Sequence, residues 1–383
     1  MVKILFVAPW IPSVRRPRSL QILAHLQERH DVSFVGPSWN VDDEGSFAEL
    51  AIEQKWTTRV GRLRGATRAF RALVFSRVSL QQAFVSDPRF LRTVRSAIAE
   101  VQPDLLFFNV SRSVQLREVA PNIPAVVDLD EYRSAYFRLL AQSSSNILLR
   151  WVSRIEAARI ARSEARLPSG FARIFVSSPA DLDHHDRVRL VRSTVDDPSD
   201  LGERRPSIPS IVFSGRQSYR ANREAVIWFG KEILPGVVSS VPDAELTIVG
   251  ADPPAQVRAL AGPHVTVTGT VPEIRPYLEM ASIAVIPVLH ATGVQLKLLE
   301  AMAAGVPCVV TPVVARGAGI ESGVHCLVAD TPNEWISAVV RLLTDEILRE
   351  RIIEAASLWL RTNHVSDVTR EALLKEVESA FER

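Results

Sequence analysis

Two charged residues, Lys297 and Glu300, follow the small residues Thr292 and Gly293 in the stretch HATGVQLKLLEAMAAGVPCVV, residues 290–310. Their spacing puts both charged side chains on one face of a helix. The amide groups at a helix start have no partners inside the helix, so they bind anions well. The stretch therefore predicts a phosphate site with a cation and a carboxylate beside it. The simpler alternative is a solvated ion pair on a helix surface.

A second candidate cation, Arg216, follows a predicted strand at residues 211–213 in FSGRQSYRANREAVIWF, residues 213–229. Gly215 and Arg216 would lie at the carboxyl end of that strand, where a guanidinium fork suits a diphosphate. Asn222 is predicted to cap the helix that follows. A surface salt bridge is the alternative role for Arg216.

Two more predicted strands run into glycine turns, at Gly250 in IVGADPP (248–254) and at Gly269 in TGTVPE (268–273). Because glycine has no side chain, each turn would let the backbone approach a ligand closely. On their own, these are ordinary turns.

Apolar runs alternate with helical patterns in both halves of the chain, and this alternation is typical of parallel α/β sheets. The stretch DDPSDLGERRPSIPS, residues 196–210, has three prolines and many turn formers, as a linker would. We therefore predict an α/β fold with two doubly wound Rossmann-like domains facing a cleft. The predicted boundaries are a first domain over 1–195, a linker over 196–210, a second domain over 211–365, and a C-terminal helix over 366–383 that packs back on the first domain.

Several other classes of protein are disfavoured. The first strand is followed by APWIPSVRRP rather than by a Gly-x-Gly-x-x-Gly motif, which argues against a dinucleotide oxidoreductase. The string Asp-Leu-Asp at 128–130 and 181–183 could hold a divalent metal, but neither copy has further ligands at a fixed spacing, so no metal site is predicted. The two cysteines, Cys308 and Cys326, form neither a metal cluster nor a disulfide framework, and we expect packed thiols.

The composition is that of a soluble globular protein, with 47% hydrophobic and 23% charged residues. No apolar run reaches the roughly 18 residues that a membrane span needs, and the run at residues 4–8 is too short for a signal-peptide core. We therefore expect a cytoplasmic protein, and no nucleic-acid partner is predicted. Residues 1–195 contain 28 basic and 19 acidic residues, a net charge of +9, whereas the rest of the chain carries −7. This asymmetry predicts that the N-terminal half meets something anionic.

The C-terminal half resembles the donor domain of glycosyltransferase family 4, whose members are retaining enzymes with the two-domain GT-B fold. The resemblance covers residues 211 to about 345 well and the N-terminal half in outline. It is carried by Gly215-Arg216, Val249-Gly250, Gly269 to Pro272 and, above all, Thr292 to Pro307. In the family, the second Glu of a Glu, seven residues, Glu pattern binds the nucleotide ribose, and the glycine after the first Glu offers backbone amides to the diphosphate.

The resemblance and the glycine turns together give the predicted site residues. Arg216, Lys297 and Asp130 are expected to be catalytic. Donor binding is expected of Gly215, Arg220, Gly250, Gly269, Val271, Thr292, Gly293, Val294 and Glu300, with Glu300 on the ribose. Arg15 and Arg16, in the first loop, are expected on the acceptor side.

Three positions depart from the family pattern. Thr292 replaces the first Glu, which in the family contacts hydroxyls of the donor sugar. Ala221 stands where the family has a lysine, and Lys297 or Arg220 could supply the missing cation. The histidine that usually follows the fourth strand is absent, and Leu129-Asp130 occupies that place.

We predict a metal-independent, retaining glycosyltransferase that moves a sugar from a nucleoside diphosphate sugar to a lipid-linked or otherwise anionic acceptor in glycan synthesis, without a cofactor. One alternative is a GT-B nucleotide-sugar epimerase or hydrolase, which would need a general base near the sugar; Asp130 is the candidate. Another is a non-catalytic protein that binds nucleotide sugars beside a second transferase, which Thr292 and the missing histidine would favour.

A basic amphipathic helix is predicted over residues 60–77, within a stretch that lacks acidic residues from 54 to 86. Its apolar positions are Val60, Leu63, Phe70, Leu73 and Val74, and Arg64, Arg68 and Arg71 lie roughly opposite. Such a helix can lie on an anionic membrane surface. The alternative is a helix with its apolar face in the core and its arginines in water. We predict peripheral binding to the membrane.

Overall fold

The computed structural model describes residues 1–144, 146–183, 185–198 and 209–381, and the chain divides into two compact units. The first unit comprises Met1–Arg192 and Thr369–Arg383, and the second comprises Ser193–Val368. Residues 199–208, which make up most of the predicted linker, lie outside the described residues.

Seven parallel strands form the sheet of the first unit. They are β1 (Lys3–Val7), β2 (Asp31–Ser38), β3 (Lys55–Arg59), β4 (Leu105–Asn109), β5 (Ala125–Asp130), β6 (Arg173–Val176) and β7 (Val188–Leu190). Their order in the sheet is β3-β2-β1-β4-β5-β6-β7. The central strands β1 and β4 are buried almost throughout, because helices cover both faces of the sheet and both faces must be apolar.

The helices of the first unit follow the strands in the alternation that the sequence predicted. They are α1 (Pro17–Gln27), α2 (Val41–Glu49), α3 (Arg62–Phe75), α4 (Leu80–Val85), α5 (Pro88–Val101), α6 (Arg133–Ser143), α7 (Ile147–Glu164) and α8 (Leu167–Gly170), with 3-10 helices at Val114–Val119 and Pro179–Asp181. Asp181 is the last residue of the second of these 3-10 helices.

The second unit contains a six-stranded parallel sheet. Its strands are β8 (Ser210–Ser214), β9 (Glu245–Val249), β10 (Val265–Gly269), β11 (Ile283–Ile286), β12 (Cys308–Val310) and β13 (Leu327–Val328), in the order β10-β9-β8-β11-β12-β13. Its helices are α9 (Arg220–Trp228), a π-helix at Phe229–Ile233, α10 (Leu234–Ser240), α11 (Ala255–Arg258), α12 (Arg275–Glu279), α13 (Leu296–Ala303), α14 (Pro312–Ala318), α15 (Pro332–Thr344) and α16 (Glu346–Asn363). Cys308 and Cys326 are free thiols buried in this unit.

Both sheets have the reversal of strand order that creates a binding crevice in doubly wound folds. In the first unit the order reverses between β1 and β4, and in the second it reverses between β8 and β11. The loops after these strands begin at Ala8 and Gly215, so the chemistry-bearing residues predicted after them lie at the carboxyl edges of their sheets. The prediction of two doubly wound α/β domains is confirmed.

The last helix, α17 (Ser366–Glu378), packs for most of its length on the first unit. Leu373, Leu374 and Val377 are fully buried in the same apolar cluster as the side chains of β1 and β2. Glu376 accepts from the Arg173 guanidinium, with 3.2 Å between Nε and Oε2. Apolar burial therefore holds the C-terminal segment to this unit, and the ion pair fixes its register.

Helix α3 presents its apolar stripe to solvent, contrary to the alternative in which that stripe would face the core. Leu63, Phe70 and Val74 are 86%, 66% and 57% exposed. The buried face is formed by Gly65 and Ala72, because only small residues fit against α4: a Cβ added to Gly65 would lie 2.8 Å from the Phe84 ring.

Two residues assigned to the faces of this helix are placed differently by the structure. Val60 precedes α3 and is buried in the core of the first unit. Arg68 does not lie free on the polar face, because its Nη1 donates to Asp87 Oδ2 at 2.8 Å and its Nη2 to the Phe84 carbonyl at 2.9 Å. Among the described residues, no helix is long and apolar enough to cross a membrane.

Candidate functional site

Two glycines line the carboxyl edge of the second sheet and bring its turns into contact. Gly215 has φ 138° and Gly250 has φ 147°, conformations that favour glycine. The Gly215 carbonyl would lie 2.0 Å from a Cβ added to Gly250, and a Cβ on Gly215 would lie 2.8 Å from Asn222 Nδ2 and 3.0 Å from Lys297 Nζ. Both positions therefore require glycine, and the space above Gly215 is occupied by polar side chains.

Asn222 connects the turn after β8 to helix α13. Its Nδ2 donates to the Arg216 carbonyl at 2.9 Å, and its Oδ1 accepts a hydrogen bond from Lys297 Nζ. The predicted capping role of Asn222 is wrong, because α9 begins at Arg220 with Tyr219 at its N-cap. Asn222 lies inside the helix, where it can reach both the turn and the lysine.

Lys297 is the most strongly perturbed cation of this site. Its ammonium lies 4.8 Å from the centre of the Phe213 ring, and burial lowers its pKa from 10.5 to about 7, although the nearby Glu300 opposes that fall. Glu300 is exposed to solvent on one side. The surrounding protein nevertheless removes part of the water from its carboxyl, and this desolvation raises the pKa of that group. Lys297 and Glu300 therefore interact electrostatically along α13, but no salt bridge joins them in the described part of the chain.

Of the two candidates for the missing cation, the structure brings Lys297 to the glycine turns and engages Arg220 elsewhere. Arg220 Nε donates to Glu224 Oε1 at 2.7 Å, one helical turn along α9. Arg216 lies at the end of β8, where its Nε is 3.8 Å from Asp252 Oδ2 and both side chains are more than half exposed. Such an exposed pair contributes little energy, so an anionic ligand can compete for Arg216.

The prediction that Thr292 and Gly293 open a helix is wrong, because both residues lie in the loop before α13. Gly293 has φ 63°, and its carbonyl would lie 2.5 Å from a Cβ added to Gly317. Helix α13 begins at Leu296 with Gln295 as N-cap and no capping side chain. The helix therefore starts four positions after Thr292, and the residues between them are loop.

The other predicted donor residues line the same edge. Gly269 ends β10 with φ 76°, and its carbonyl accepts from the Gly250 amide at 3.2 Å. Val271 and Val294 are half-buried and pack against the apolar core of the second unit. Their side chains pack on this core, and their backbone groups are free of a side-chain role in donor binding.

Asp130, the predicted acceptor-side carboxylate, lies at the carboxyl end of β5 in the first unit, with φ 66°. Arg18 contacts it at 3.4 Å between Nε and Oδ1. The same guanidinium makes a bidentate contact with Asp128, at 3.1 and 2.5 Å, and burial raises the pKa of Asp128 against the opposing effect of Arg18. Asp130 is 45% exposed at its side chain and so is the accessible member of this trio. Among the described residues, no three His, Cys, Asp or Glu side chains come together as metal ligands would.

Arg15 and Arg16 differ in their surroundings. Arg15 is exposed and pairs with Asp42 at 3.1 Å. Arg16 is partly buried, donates to the Ile11 carbonyl at 2.7 Å, and lies 5.1 Å from the centre of the Trp10 ring. Of the two, Arg16 is the one fixed at the carboxyl edge of β1.

Three residues of the second unit have roles that were not predicted from the sequence. The bridging role of Asn222 depends on a partner 75 positions away, which no local pattern reveals. Gln217 is fully buried, its Nε2 donates to the Gly215 carbonyl at 2.6 Å, and its Oε1 has no described partner. Asp252, with φ 55°, is the partner of Arg216. The Gly-Ala-Asp turn after β9 was a signal that could have pointed to Asp252.

Comparison with known proteins gives these features a context. Residues 208–345 match the protein family described as Glycosyl transferases group 1. A phosphatidyl-myo-inositol mannosyltransferase of Mycobacterium leprae is 30% identical over 159 residues, which are 40% of this chain and 42% of the mannosyltransferase. The match thus spans less than half the length of that relative.

Solved structures match along nearly the whole chain. Sucrose-phosphate synthase from Thermosynechococcus elongatus has a TM-score of 0.74 at 15% identity, over 100% of both chains. HepE of Anabaena in complex with UDP-glucose has a TM-score of 0.68 at 13% identity, over 99% of this chain and 100% of HepE. WaaG, a glycosyltransferase involved in lipopolysaccharide biosynthesis, has a TM-score of 0.67 at 15% identity, over 97% of this chain and 98% of WaaG. At these identities the likeness shows the fold, which is GT-B.

The family match falls on the unit that contains Gly215, Asn222, Lys297 and Glu300, and it includes all four positions. The resemblance inferred from the glycine turns and the Thr292 to Pro307 stretch is thereby confirmed. Residues 208–345 of this chain thus match the Glycosyl transferases group 1 family, and the chain as a whole has the GT-B fold.

Proposed function

We propose that this chain transfers a sugar from a nucleoside diphosphate sugar to an acceptor and that its second unit binds the donor. The observation that carries the proposal is the desolvated Lys297 ammonium, held beside Gly215 by Asn222 with no carboxylate bonded to it in the described part of the chain. A cation removed from water without an anionic partner is costly, and a diphosphate would supply that partner. The complex of HepE with UDP-glucose supports a nucleotide sugar as ligand.

Five of the predicted site residues have a direct role in this proposal. Lys297 and Arg216 contact the diphosphate, together with backbone amides of the loop at Gly293. Glu300 accepts hydrogen bonds from the ribose hydroxyls, for which a carboxylate acceptor is suited. Thr292 offers a hydroxyl to the donor sugar.

Transfer breaks the bond between the sugar and the diphosphate, and negative charge develops on the leaving oxygen. Cations and amides fixed before the reaction stabilise that charge without a metal ion, because they need no reorganisation as the charge grows. We propose on this basis a metal-independent reaction without a cofactor. We also propose that it retains configuration at the sugar, as the resemblance to the family implies, and that Asp130 acts on the acceptor side.

A donor screen tests the assignment. Equilibrium binding of a panel of nucleoside diphosphate sugars should identify a ligand, and Glu300→Ala and Arg216→Ala should weaken its binding by about 10-fold or more, since each removes a charged hydrogen bond. Glu354→Ala and Arg341→Ala, on exposed faces of α16 and α15, are the matched controls and should bind like the wild type. Near-normal affinity in the Glu300 or Arg216 variant would refute its donor role.

A transfer assay separates this function from the two alternatives. Release of nucleoside diphosphate that requires an acceptor indicates a transferase. Release without any acceptor indicates a hydrolase, and conversion of one nucleotide sugar into another indicates an epimerase. Binding without turnover would indicate a non-catalytic partner, which is the alternative that the Thr292 substitution favours.

We further propose that α3 docks on an anionic lipid surface. Its exposed stripe of Leu63, Phe70 and Val74 is flanked by Arg64 and Arg71, which are also exposed. Apolar side chains between cations match the boundary between acyl chains and anionic headgroups, and each basic residue near that surface adds about 1 kcal/mol.

Sedimentation with vesicles of phosphatidylcholine and phosphatidylserine tests this docking. Binding should weaken with salt, and the double variant Arg64→Gln with Arg71→Gln should bind less than the wild type. Arg92→Gln with Arg95→Gln, on the exposed side of α5, is a control of equal charge change and should bind nearly as the wild type does. Equal sedimentation of both double variants would remove α3 from the proposal.

A further inference from the structure

Two arginine side chains of the first unit lie against the ring of Trp10, and a third lies nearby. Arg16 and Arg112 have their guanidinium carbons 5.1 and 5.6 Å from the centre of that ring. The third, Arg133, lies 4.1 Å from the centre of the Tyr136 ring. Stacking on aromatic faces holds planar guanidinium groups in defined positions.

The topology brings these arginines to one edge of the sheet. Trp10 follows β1, Arg112 follows β4 and Arg133 follows β5, and these three strands are neighbours in the order β1-β4-β5. The chain turns sharply at this edge, because Val110 after β4 has φ 58° and Asp130 at the end of β5 has φ 66°. A β-branched residue rarely adopts a positive φ, and such strain concentrates at functional sites.

Of the three arginines, Arg112 lacks a direct contact with a carboxylate in the described part of the chain. Arg112 Nε donates to Gln81 Oε1 at 2.6 Å, but the guanidinium has no carboxylate within 4 Å among the described residues. Burial, followed by the charges of Arg133 and Arg16, lowers the pKa of Arg112 to about 10.

Among the residues that the structure describes, each of the other two arginines contacts one carboxylate. Asp43 lies 3.5 Å from Arg16, and Glu131 lies 2.6 Å from Arg133. Glu156 and Glu131 act on Arg112 only at longer range. Because arginine keeps its proton at neutral pH, Arg112 is a cation beside two others with no carboxylate in direct contact among the described residues. An oxyanion that enters the cluster would relieve this repulsion.

We propose that Arg16, Arg112 and Arg133 form a subsite for a phosphate group of the acceptor. This inference rests on the proposed transferase function, because only a transferase has an acceptor that could carry the phosphate. A phosphate group offers several terminal oxygens to guanidinium forks, and arginine binds phosphate through paired N–H groups. The indole ring of Trp10 holds two of these forks beside each other. The phosphate is carried either by a soluble acceptor or by a lipid headgroup.

Hydrogen–deuterium exchange of the full chain tests the subsite with inorganic phosphate as the probe. Phosphate, compared with chloride at equal ionic strength, should slow exchange of peptides covering residues 9–16, 110–113 and 131–134. Peptides covering 292–300 report the donor region separately. Slowed exchange at 292–300 with no change in the three first-unit segments would overturn this inference and leave the donor proposal standing.

Substitution tests the arginines themselves. Arg112→Gln should fold normally, since it removes a repelled charge. It should raise by about 10-fold the phosphate concentration at which exchange of the first-unit peptides reaches half of its maximal slowing. Arg133→Gln should act in the same direction. The control Arg95→Gln, an exposed arginine on α5, should leave that concentration unchanged. Unchanged protection in both the Arg112 and Arg133 variants would also overturn the inference.

Two further probes identify the source of the phosphate. If the acceptor phosphate belongs to a lipid, vesicles of phosphatidylcholine and phosphatidic acid should protect the same peptides. The phosphatidic acid concentration needed should be lower than the inorganic phosphate concentration that gives equal protection. If the phosphate belongs to a soluble acceptor, glucose 6-phosphate should protect them at least as well as the vesicles. In either case Arg112→Gln should weaken the protection, and protection that is insensitive to this substitution contradicts the subsite.

Discussion

Replacing Lys297 by Met should stabilise the second unit and abolish donor binding. Burial lowers the pKa of Lys297 from 10.5 to about 7, so the folded state disfavours the protonated lysine. This difference corresponds to about 4 kcal/mol of lost stability at pH 7. Methionine keeps the contact with the Phe213 ring but loses the hydrogen bond to Asn222, which costs about 1 kcal/mol. We therefore expect a net gain of about 2 to 3 kcal/mol in the free energy of unfolding.

The gain from Lys297→Met should shrink as the pH rises. Between the folded pKa of about 7 and the ordinary value of 10.5, the unfolded chain binds more protons at this position than the folded chain does. Wild-type stability therefore rises with pH in this window, while the variant has no such group. The advantage of the variant should fall by about 2 kcal/mol between pH 7 and pH 9.

Urea unfolding at pH 7 and pH 9 measures both effects. Hydrogen exchange of peptides from residues 209–368 reports the second unit separately from the first, because a chain of two units need not unfold in one step. Lys231→Met is the matched control, since Lys231 is exposed in the π-helix Phe229–Ile233. It should change stability by less than about 0.5 kcal/mol at either pH.

Two results would refute the reasoning. A Lys297→Met variant that is less stable than the wild type at pH 7 would show that the lysine is well compensated in the folded protein. A stable variant that binds the donor with wild-type affinity would show that the strained cation serves no ligand. A stabilised variant without donor binding is the expected combination, because binding sites commonly sacrifice stability for function.

Three further outcomes follow from the structure. Gly215→Ala should lower donor affinity and destabilise the second unit by about 1 to 3 kcal/mol, since the new methyl would meet two polar side chains at 3.0 Å or less. The control Gly262→Ala has space for its methyl and should change neither donor binding nor urea unfolding. Arg18→Gln should destabilise the first unit by about 3 to 5 kcal/mol, because Asp128 stays buried without its charged partner. The control Arg15→Gln, at an exposed pair, should lower the free energy of unfolding by less than about 1 kcal/mol. Sugar transfer should survive excess EDTA.

Each of these outcomes has a clear contrary result. Equal donor binding by the Gly215 and Gly262 variants would mean that the turn after β8 does not approach the ligand. Similar urea midpoints for the Arg18 and Arg15 variants would mean that the buried ion pair is not a stability determinant. Loss of transfer in EDTA, restored by magnesium or manganese, would indicate a metal at carboxylates such as Asp130.

The fold was largely predictable from sequence because its signals are local. Buried parallel strands are short apolar runs, and the turns at Gly215 and Gly250 mark the ends of two of them. The spacing of Lys297 and Glu300 was equally readable, since both lie on one helix. Strand β3 was missed, because Lys55–Arg59 is polar and half-exposed and resembles a loop.

The remaining features depend on tertiary packing, which periodicity does not encode. The pattern in residues 60–77 showed an apolar stripe on α3 but not its direction; the stripe faces solvent because Gly65 and Ala72 form the buried contact. Asn222 resembled a helix cap, and its bond to Lys297 across 75 positions exists only once β8 and α13 are folded together. Arg112 carried no motif at all.

The most direct test of the central claim is nucleoside diphosphate release from the donor found in the screen, measured with and without a crude lipid and glycan acceptor extract. We expect release that depends on the extract, gives a glycosylated product, and falls at least about 10-fold in Glu300→Ala but not in Glu354→Ala. Release that proceeds equally without acceptor, or that is unchanged in Glu300→Ala, would contradict that claim.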